Sequence, residues 1–500
     1  MDTVLKMKWD RTFLVSLLLV IVLCSMLGEK VAINNGAGWD GVEYRDIARN
    51  FTERITTISY DKYRIQRILP FALINVTYSL LNISKDDRSL MNGALFLNLV
   101  SLITAIYFFF KISNYLRLKS IVEIISFSSL FYNFPSLKLL GYCPFLSDYY
   151  ALCLGLACFY FFIKGKQISL VFCGILGSII WPVALITALC LAFLPKDEVN
   201  LCSDIKIKTG VNVMQSCIKT IVAFSPLVFV LFLYYYKGGY EGLMGLYYDA
   251  KPLNGVMLLL SSLSIVYYLY RVVKHINIDV LKVLAFFWKK IKWSYILSFV
   301  LIYSCVNFII IYFSNGEKGA LDMKGLLVSN ILFSTTDPFV FLINHFLYFG
   351  FAVLLLILLW RKLLPQYGKY GFGFLFVLFL IIFFSLRAES RVSIMFLPFL
   401  FFPLFELINK FEIKKWVAYT YCIASLILSR FWFQINTNGI EQAFLNPGEE
   451  GYISFPAQRY FMNFAHWQSH EIYLLFLIIG FTSSLLIYWG FRTNIFIEKK

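Results

Sequence analysis

Residues 12–27 read Thr-Phe-Leu-Val-Ser-Leu-Leu-Leu-Val-Ile-Val-Leu-Cys-Ser-Met-Leu, with Lys6, Lys8 and Arg11 before them and Glu29 and Lys30 after. No charge interrupts the run, and its length is close to the about 20 apolar residues that carry a helix across a bilayer core. A cleaved signal peptide would be followed by a small-x-small site. Gly28-Glu29-Lys30-Val31-Ala32 offers none, so the run reads as a retained first span.

The same pattern recurs along the chain, at 90–110, 120–136, 147–163, 168–194, 218–236, 254–273, 294–313, 338–360, 371–386, 392–408, 416–432 and 471–491. The run 168–194 is overlong, with Gly174, Gly177 and Pro182 in its middle. It reads as two short half-helices that enter and return, because an interrupted helix in a bilayer must satisfy its freed backbone groups inside protein. The expectation is an all-α polytopic transmembrane bundle of about 13 or 14 spans, with no soluble domain of any size.

Composition agrees. The 500 residues are 59% hydrophobic, 19% aromatic and 15% charged, against roughly a quarter charged in an average soluble domain. The net charge of +16 does not point to nucleic acid, since Lys and Arg sit in the short gaps between apolar runs, where they orient helices. Placing both termini in the cytoplasm puts Lys289-Lys290-Ile291-Lys292, Arg361-Lys362 and Lys414-Lys415 on the inner side, as the positive-inside rule requires of a plasma (inner) membrane protein. The ten cysteines include no CxxC pair and fall mostly inside apolar runs, as small core residues do. The 52 Phe and 32 Tyr read as lipid-facing and interfacial side chains.

Two long polar stretches remain, an outer loop at 29–89 and a second outer loop at 433–470. Loops of this length are usually functional or disordered. In the first, Asn34-Asn35-Gly36-Ala37-Gly38 turns the chain and delivers Trp39-Asp40, and Gly41 opens a helix. Asp40 has the chemistry of an N-cap. By i, i+3, i+4 spacing Asp40, Glu43, Tyr44 and Ile47 share one face of that helix. Arg45, Asp46, Arg49 and Glu53 make a second, solvated one. Further on, Tyr60-Asp61-Lys62-Tyr63-Arg64-Ile65-Gln66-Arg67-Ile68-Leu69-Pro70 leads into the amphipathic run Phe71–Ile83, which is too short to span and suits the interface.

Trp-Asp-Gly directly after the first span, then a tyrosine and an Ile-Ala, resembles the first outer loop of the GT-C superfamily. An arginine before a Leu-Pro interfacial helix fits the same pattern. These are multi-spanning glycosyltransferases that take sugars from polyprenyl-phosphate donors. The resemblance implies a sugar transferred to a glycan or lipid-linked acceptor at the outer face, with membrane lipid as surroundings and no nucleic acid. Asp40 matches the essential acid of the first loop, and Asp148, in Pro144-Phe145-Leu146-Ser147-Asp148-Tyr149-Tyr150, matches a second acid at the next outer turn. Glu389-Ser390-Arg391, with Arg387 before it and Pro398 after, resembles a Glu-x-Arg motif that opens a late span. The implied site therefore has Asp40 and Asp148 as catalytic carboxylates, with Trp39, Glu43, Tyr44, Arg64, Arg67, Glu389 and Arg391 around the substrate. Larger members carry a soluble C-terminal domain that this chain lacks, which leaves acceptor recognition open.

The chemistry asks for the same residue types. Sugar transfer from a lipid phosphate needs a carboxylate to deprotonate the acceptor hydroxyl or to hold a divalent metal ion, Asp40 and Asp148 being the candidates, and cations to stabilise the leaving phosphate. Glu123, inside the third run, reads as a buried ion-pair partner. His466 and His470, i and i+4 apart, read as an interfacial polar pair without a third zinc ligand. The sequons at Asn50, Asn75 and Asn82 carry no argument. A surface polysaccharide (O-antigen or capsule) polymerase and a lipid-linked sugar transporter or flippase remain as alternatives. A transporter would show broken helices in two related halves, and the sequence displays one broken segment.

Overall fold

The computed structural model describes residues 2–32, 34–201, 209–247, 251–276, 280–316, 323–436, 470–492 and 496–498. Among them the chain is almost entirely helical; the exception is a short antiparallel pairing of Phe411–Ile413 with Phe496–Glu498. Among the described residues seven helices are long and apolar enough to cross a membrane: Asp10–Leu27, Asp87–Leu116, Met214–Tyr236, Gly255–Lys274, Trp293–Tyr312, Ser390–Ile408 and Ile472–Phe491. Shorter apolar helices such as Ser120–Phe131, Asp148–Ile163, Gly371–Ser385 and Lys415–Leu428 pack among them. The protein is a multi-pass membrane protein with an all-α bundle. The reason is visible on its outside: only 6% of the Trp293–Tyr312 segment is buried inside the molecule, and Leu297, Val300, Leu301, Phe308 and Ile309 are exposed. Lipid tolerates such a surface; water does not.

The overlong run at 168–194 is two helices, Gln167–Gly177 and Ala184–Phe193, packed against each other across a turn at 178–183. The run at 338–360, read as one span, is also two. Val340–Phe349 stops at Gly350, whose φ of 84° ends a helix, and Ala352–Gly368 follows. Upstream of that break, Leu327–Thr335 and Val340–Phe349 are bent by 95°. The break at Gly350 lies between Phe349 and Phe351, residues as apolar as the helices they join, so hydropathy does not reveal it, whereas the break in 168–194 is marked by its glycines and Pro182.

The loop 29–89 folds as helices Gly41–Thr56, Lys62–Ile65 and Leu69–Leu80. Leu69–Leu80 buries Pro70, Phe71, Ala72, Ile74 and Asn75 and leaves Leu73, Val76 and Leu80 exposed, the two-sided pattern expected of an interfacial helix. Asn75 is spent structurally: its amide donates to the Ala48 and Arg49 carbonyls at 3.1 and 2.7 Å. The solvated face of Gly41–Thr56 is tied down by Arg45 and Arg49 on Asp87 and Arg54 on Asp46. At the loop's start the Glu29 carboxylate accepts from Lys138 at 2.6 Å and from the Ile435 and Asn436 amides at 2.7 and 2.8 Å. This joins the first loop to the first residues of the second. The rest of the second loop, with His466, lies outside the described residues; His470 pairs with Asp337 at 2.9 Å.

Candidate functional site

Two glycines explain how three distant segments meet. A Cβ on Gly41 would stand 3.0 Å from Phe145 Cβ, tighter than such contacts normally are, so glycine eases the start of that helix against the turn before Asp148. A Cβ on Gly155 would stand 2.1 Å from the Met395 carbonyl oxygen, so helix Asp148–Ile163 and the turn Ser390–Phe396 touch backbone to backbone. Asp40, Asp148 and the segment Arg387–Arg391 are thereby gathered at one end of the bundle.

Asp40 does not cap its helix by a side-chain bond. Its backbone is already helical, at φ −62° and ψ −29°, with no side-chain cap hydrogen bond. A capping residue needs an extended backbone to fold its carboxylate over the first amides. Instead Asp40 Oδ2 accepts from Arg391 Nη2 at 2.5 Å. Arg391 Nε donates to Glu389 Oε1 at 2.6 Å, and Arg387 Nη2 and Nε donate to Glu389 Oε2 at 2.5 and 3.0 Å. The result is a chain of alternating charge, Asp40–Arg391–Glu389–Arg387. Its Asp40 end is open, that side chain being 37% exposed, and its Glu389–Arg387 end is buried.

Asp148 is 4% exposed, and among the described residues its Oδ1 has no hydrogen-bond partner. Arg391 and Arg67 are the cations whose charge acts on it. Among the described residues the hydroxyls of Tyr150 and Tyr348 are buried without partners as well. Burying polar groups unpaired costs on the order of 1–3 kcal/mol each, and more for a charge. A cluster of them is a place where a ligand would complete the hydrogen bonding.

Arg67 is 8% exposed, with its guanidinium 3.9 Å from the Tyr63 ring centre and 5.0 Å from that of Trp181. Its Nη1 has no partner among the described residues. Burial works against its charge, yet its pKa stands above the ordinary value, and the neighbouring group that is charged at neutral pH and favours the guanidinium is the Asp40 carboxylate. The Leu69 amide donates to the Ile179 carbonyl at 3.0 Å, which fixes the broken segment carrying Trp181 beside Arg67. Tyr44 stacks on Phe71 at 4.9 Å, and burial pushes its phenol well above the usual range, so it stays neutral. Trp39 packs, half-buried, on the main core.

Two expected site residues are not brought in. Arg64 bonds Glu43 at 2.8 Å and Asp61 at 3.1 Å, in a partly exposed group of its own. The helix Lys62–Ile65 is a single turn that stops before Arg67, so the two arginines do not share a face. Conversely, Trp181 and Tyr348 belong to the cluster and were not foreseen. The interruption at Gly177–Pro182 was the one available signal for Trp181.

Among the described residues no three His, Cys, Asp or Glu side chains come together to hold a divalent ion, and the Arg391 guanidinium fills the space between Asp40 and Glu389. The two carboxylates Asp40 and Asp148 would hold a divalent ion only together with oxygens that a substrate brings.

Comparison with family models, with curated proteins and with solved structures finds no match to this chain.

Proposed function

We propose that this protein is a membrane glycosyltransferase of the GT-C type, transferring a sugar from a polyprenyl-phosphate donor to a hydroxyl of a glycan or lipid-linked acceptor at the outer membrane face. The observation that carries the reading is the juxtaposition of Asp40, open at the end of a charged chain, with Asp148 and Arg67, each buried with an unpartnered polar atom. Arg391 orients the Asp40 carboxylate, which takes the proton of the acceptor hydroxyl. That oxygen bonds to the sugar's anomeric carbon as the bond from carbon to phosphate oxygen breaks. The leaving lipid phosphate carries the electron pair away, and its charge meets Arg67, whose planar fork suits phosphate oxygens. Asp148, beside both arginines, keeps them aimed and accepts a sugar hydroxyl.

Purified protein in liposomes, supplied with a labelled polyprenyl-phosphate sugar and a lipid-linked acceptor, should move label to the acceptor. Asp40→Asn should lower it on the order of a hundredfold or more, and Asp148→Asn should lower it as well. A second reading, a transporter of lipid-linked sugars, draws on the bent pair Leu327–Thr335 and Val340–Phe349, a second broken element beside the one at 178–183. It takes over if label crosses the liposome membrane and is never transferred.

A further inference from the structure

A separate slot lies between the helices Gly255–Lys274, Val340–Phe349, Ala352–Gly368, Gly371–Ser385 and Leu397–Ile408. It has a volume of about 270 Å³ and walls of apolar side chains, among them Val272, Leu356, Ile357, Leu378 and Ile381. Its two ends differ. At one, His345, Ser385 and Ser393 close it; the His345 ring is fully engaged with Ser390 Oγ at 3.0 Å and the Ser385 carbonyl at 2.8 Å. At the other, Arg271, His275 and Arg361 form the rim. Arg361 sits nine residues into Ala352–Gly368, a rise of about 13 Å from that helix's start, so rim and closed end lie at different depths of the bundle.

The rim is strongly cationic. Burial first, then the charges of Arg361, Arg271, Lys274 and Lys219, press the His275 imidazole below its ordinary value. Arg271, Lys274 and Arg361 are exposed at their positions and make no ion pair among the described residues. Among the described residues no carboxylate lines the slot; like charges at its rim repel one another, and an anion among them relieves that repulsion. An apolar slot beneath a cationic rim is complementary to one kind of molecule, an amphiphile with an anionic head. Arginine pairs also prefer phosphate to a spherical anion, because the guanidinium fork matches its oxygens.

We infer that the slot binds one anionic phospholipid, its phosphate held among Arg271, His275 and Arg361 and one acyl chain laid along the wall. The site is independent of the transferase reading. The rim would hold a structural or regulatory lipid at the membrane face opposite the Asp40 cluster.

The experiment uses the full-length protein in detergent micelles, with phosphatidylglycerol and phosphatidylcholine of equal chain length as probes, read by native mass spectrometry after washing. Retention of one phosphatidylglycerol at least tenfold over phosphatidylcholine is expected. Arg271→Gln with Arg361→Gln, both exposed positions, should erase that preference, and Ile357→Trp, which fills the wall, should lower retention of the bound lipid several-fold. Equal retention of the two lipids overturns the inference. So does an unchanged preference in the double variant, and so does complete displacement by millimolar inorganic phosphate, which would mean a simple anion site.

Discussion

The molecule holds two buried charge clusters that look alike in sequence and differ in completion. Near the N-terminus, Glu123 accepts from Arg11 Nε and Nη2, each at 2.7 Å, and from the Ser113 hydroxyl, while Arg11 also reaches Asn114 at 2.7 Å. That group joins the first helix to Asp87–Leu116 and Ser120–Phe131, and both carboxylate oxygens of Glu123 are engaged. At the Asp40 cluster the arginines 387 and 391 are bound, but Asp148 Oδ1 and Arg67 Nη1 are left over. A closed pair repays its desolvation within the fold; an open one holds unpaid polar atoms that a substrate can complete. Buried charge alone therefore does not mark a site. What the proposed site adds is unpartnered buried atoms on Asp148 and Arg67, among the described residues.

Four substitutions test that contrast, in falling order of expected effect. Arg11→Ala leaves Glu123 buried and alone, and should destabilise the folded protein by about 3 kcal/mol, seen as a lowered unfolding midpoint in micelles. Sugar transfer per folded molecule should stay at the parent level; a matching loss of transfer would erase the distinction between the two clusters. Asp40→Asn removes a charge at nearly constant volume from the open cluster. Transfer should drop on the order of a hundredfold or more, as for a lost general base, with little change in unfolding midpoint. Normal product from a well-folded Asp40→Asn protein would falsify the assignment of Asp40 as base.

Arg67→Lys keeps the charge and loses the fork, and should reduce transfer roughly tenfold through weaker donor binding. An unaltered dependence on donor concentration would leave Arg67 as a stacking residue between Tyr63 and Trp181. The smallest change belongs to Arg64→Ala. This arginine bonds Glu43 and Asp61 at a partly exposed position, where ion pairs contribute about 0–1 kcal/mol. Transfer within twofold of the parent is expected, and a tenfold drop would return Arg64 to the site.

The first loop shows how far local spacing reaches. A helix opening at Gly41, with Tyr44 and Ile47 on its buried side, follows from a 3.6-residue repeat. The same repeat also placed Glu43 on that face. There Glu43 pairs with Arg64 at 2.8 Å, a contact that depends on how the chain turns between Thr56 and Lys62 and that no periodicity encodes. Arg64 and Arg67 looked equivalent for the same reason. What separates them is one turn of helix ending at Ile65, after which Arg67 is carried under Trp181.

From its sequence alone the protein was bound to be a helical membrane bundle, since long uncharged runs can satisfy their backbone in lipid only as helices. The residue types at the candidate site, the first-loop acid and the Arg387–Arg391 motif, were equally legible, because they stand where charge is costly. The tertiary structure alone decided which of them meet. The Asp40–Arg391 bond joins residues 351 positions apart, and it exists because helix Asp148–Ile163 lies close enough to Met395 to admit only glycine at 155. Hydropathy records how deep a residue lies in the membrane. Which neighbour it finds at that depth depends on how the helices pack sideways, and a linear pattern carries no measure of that.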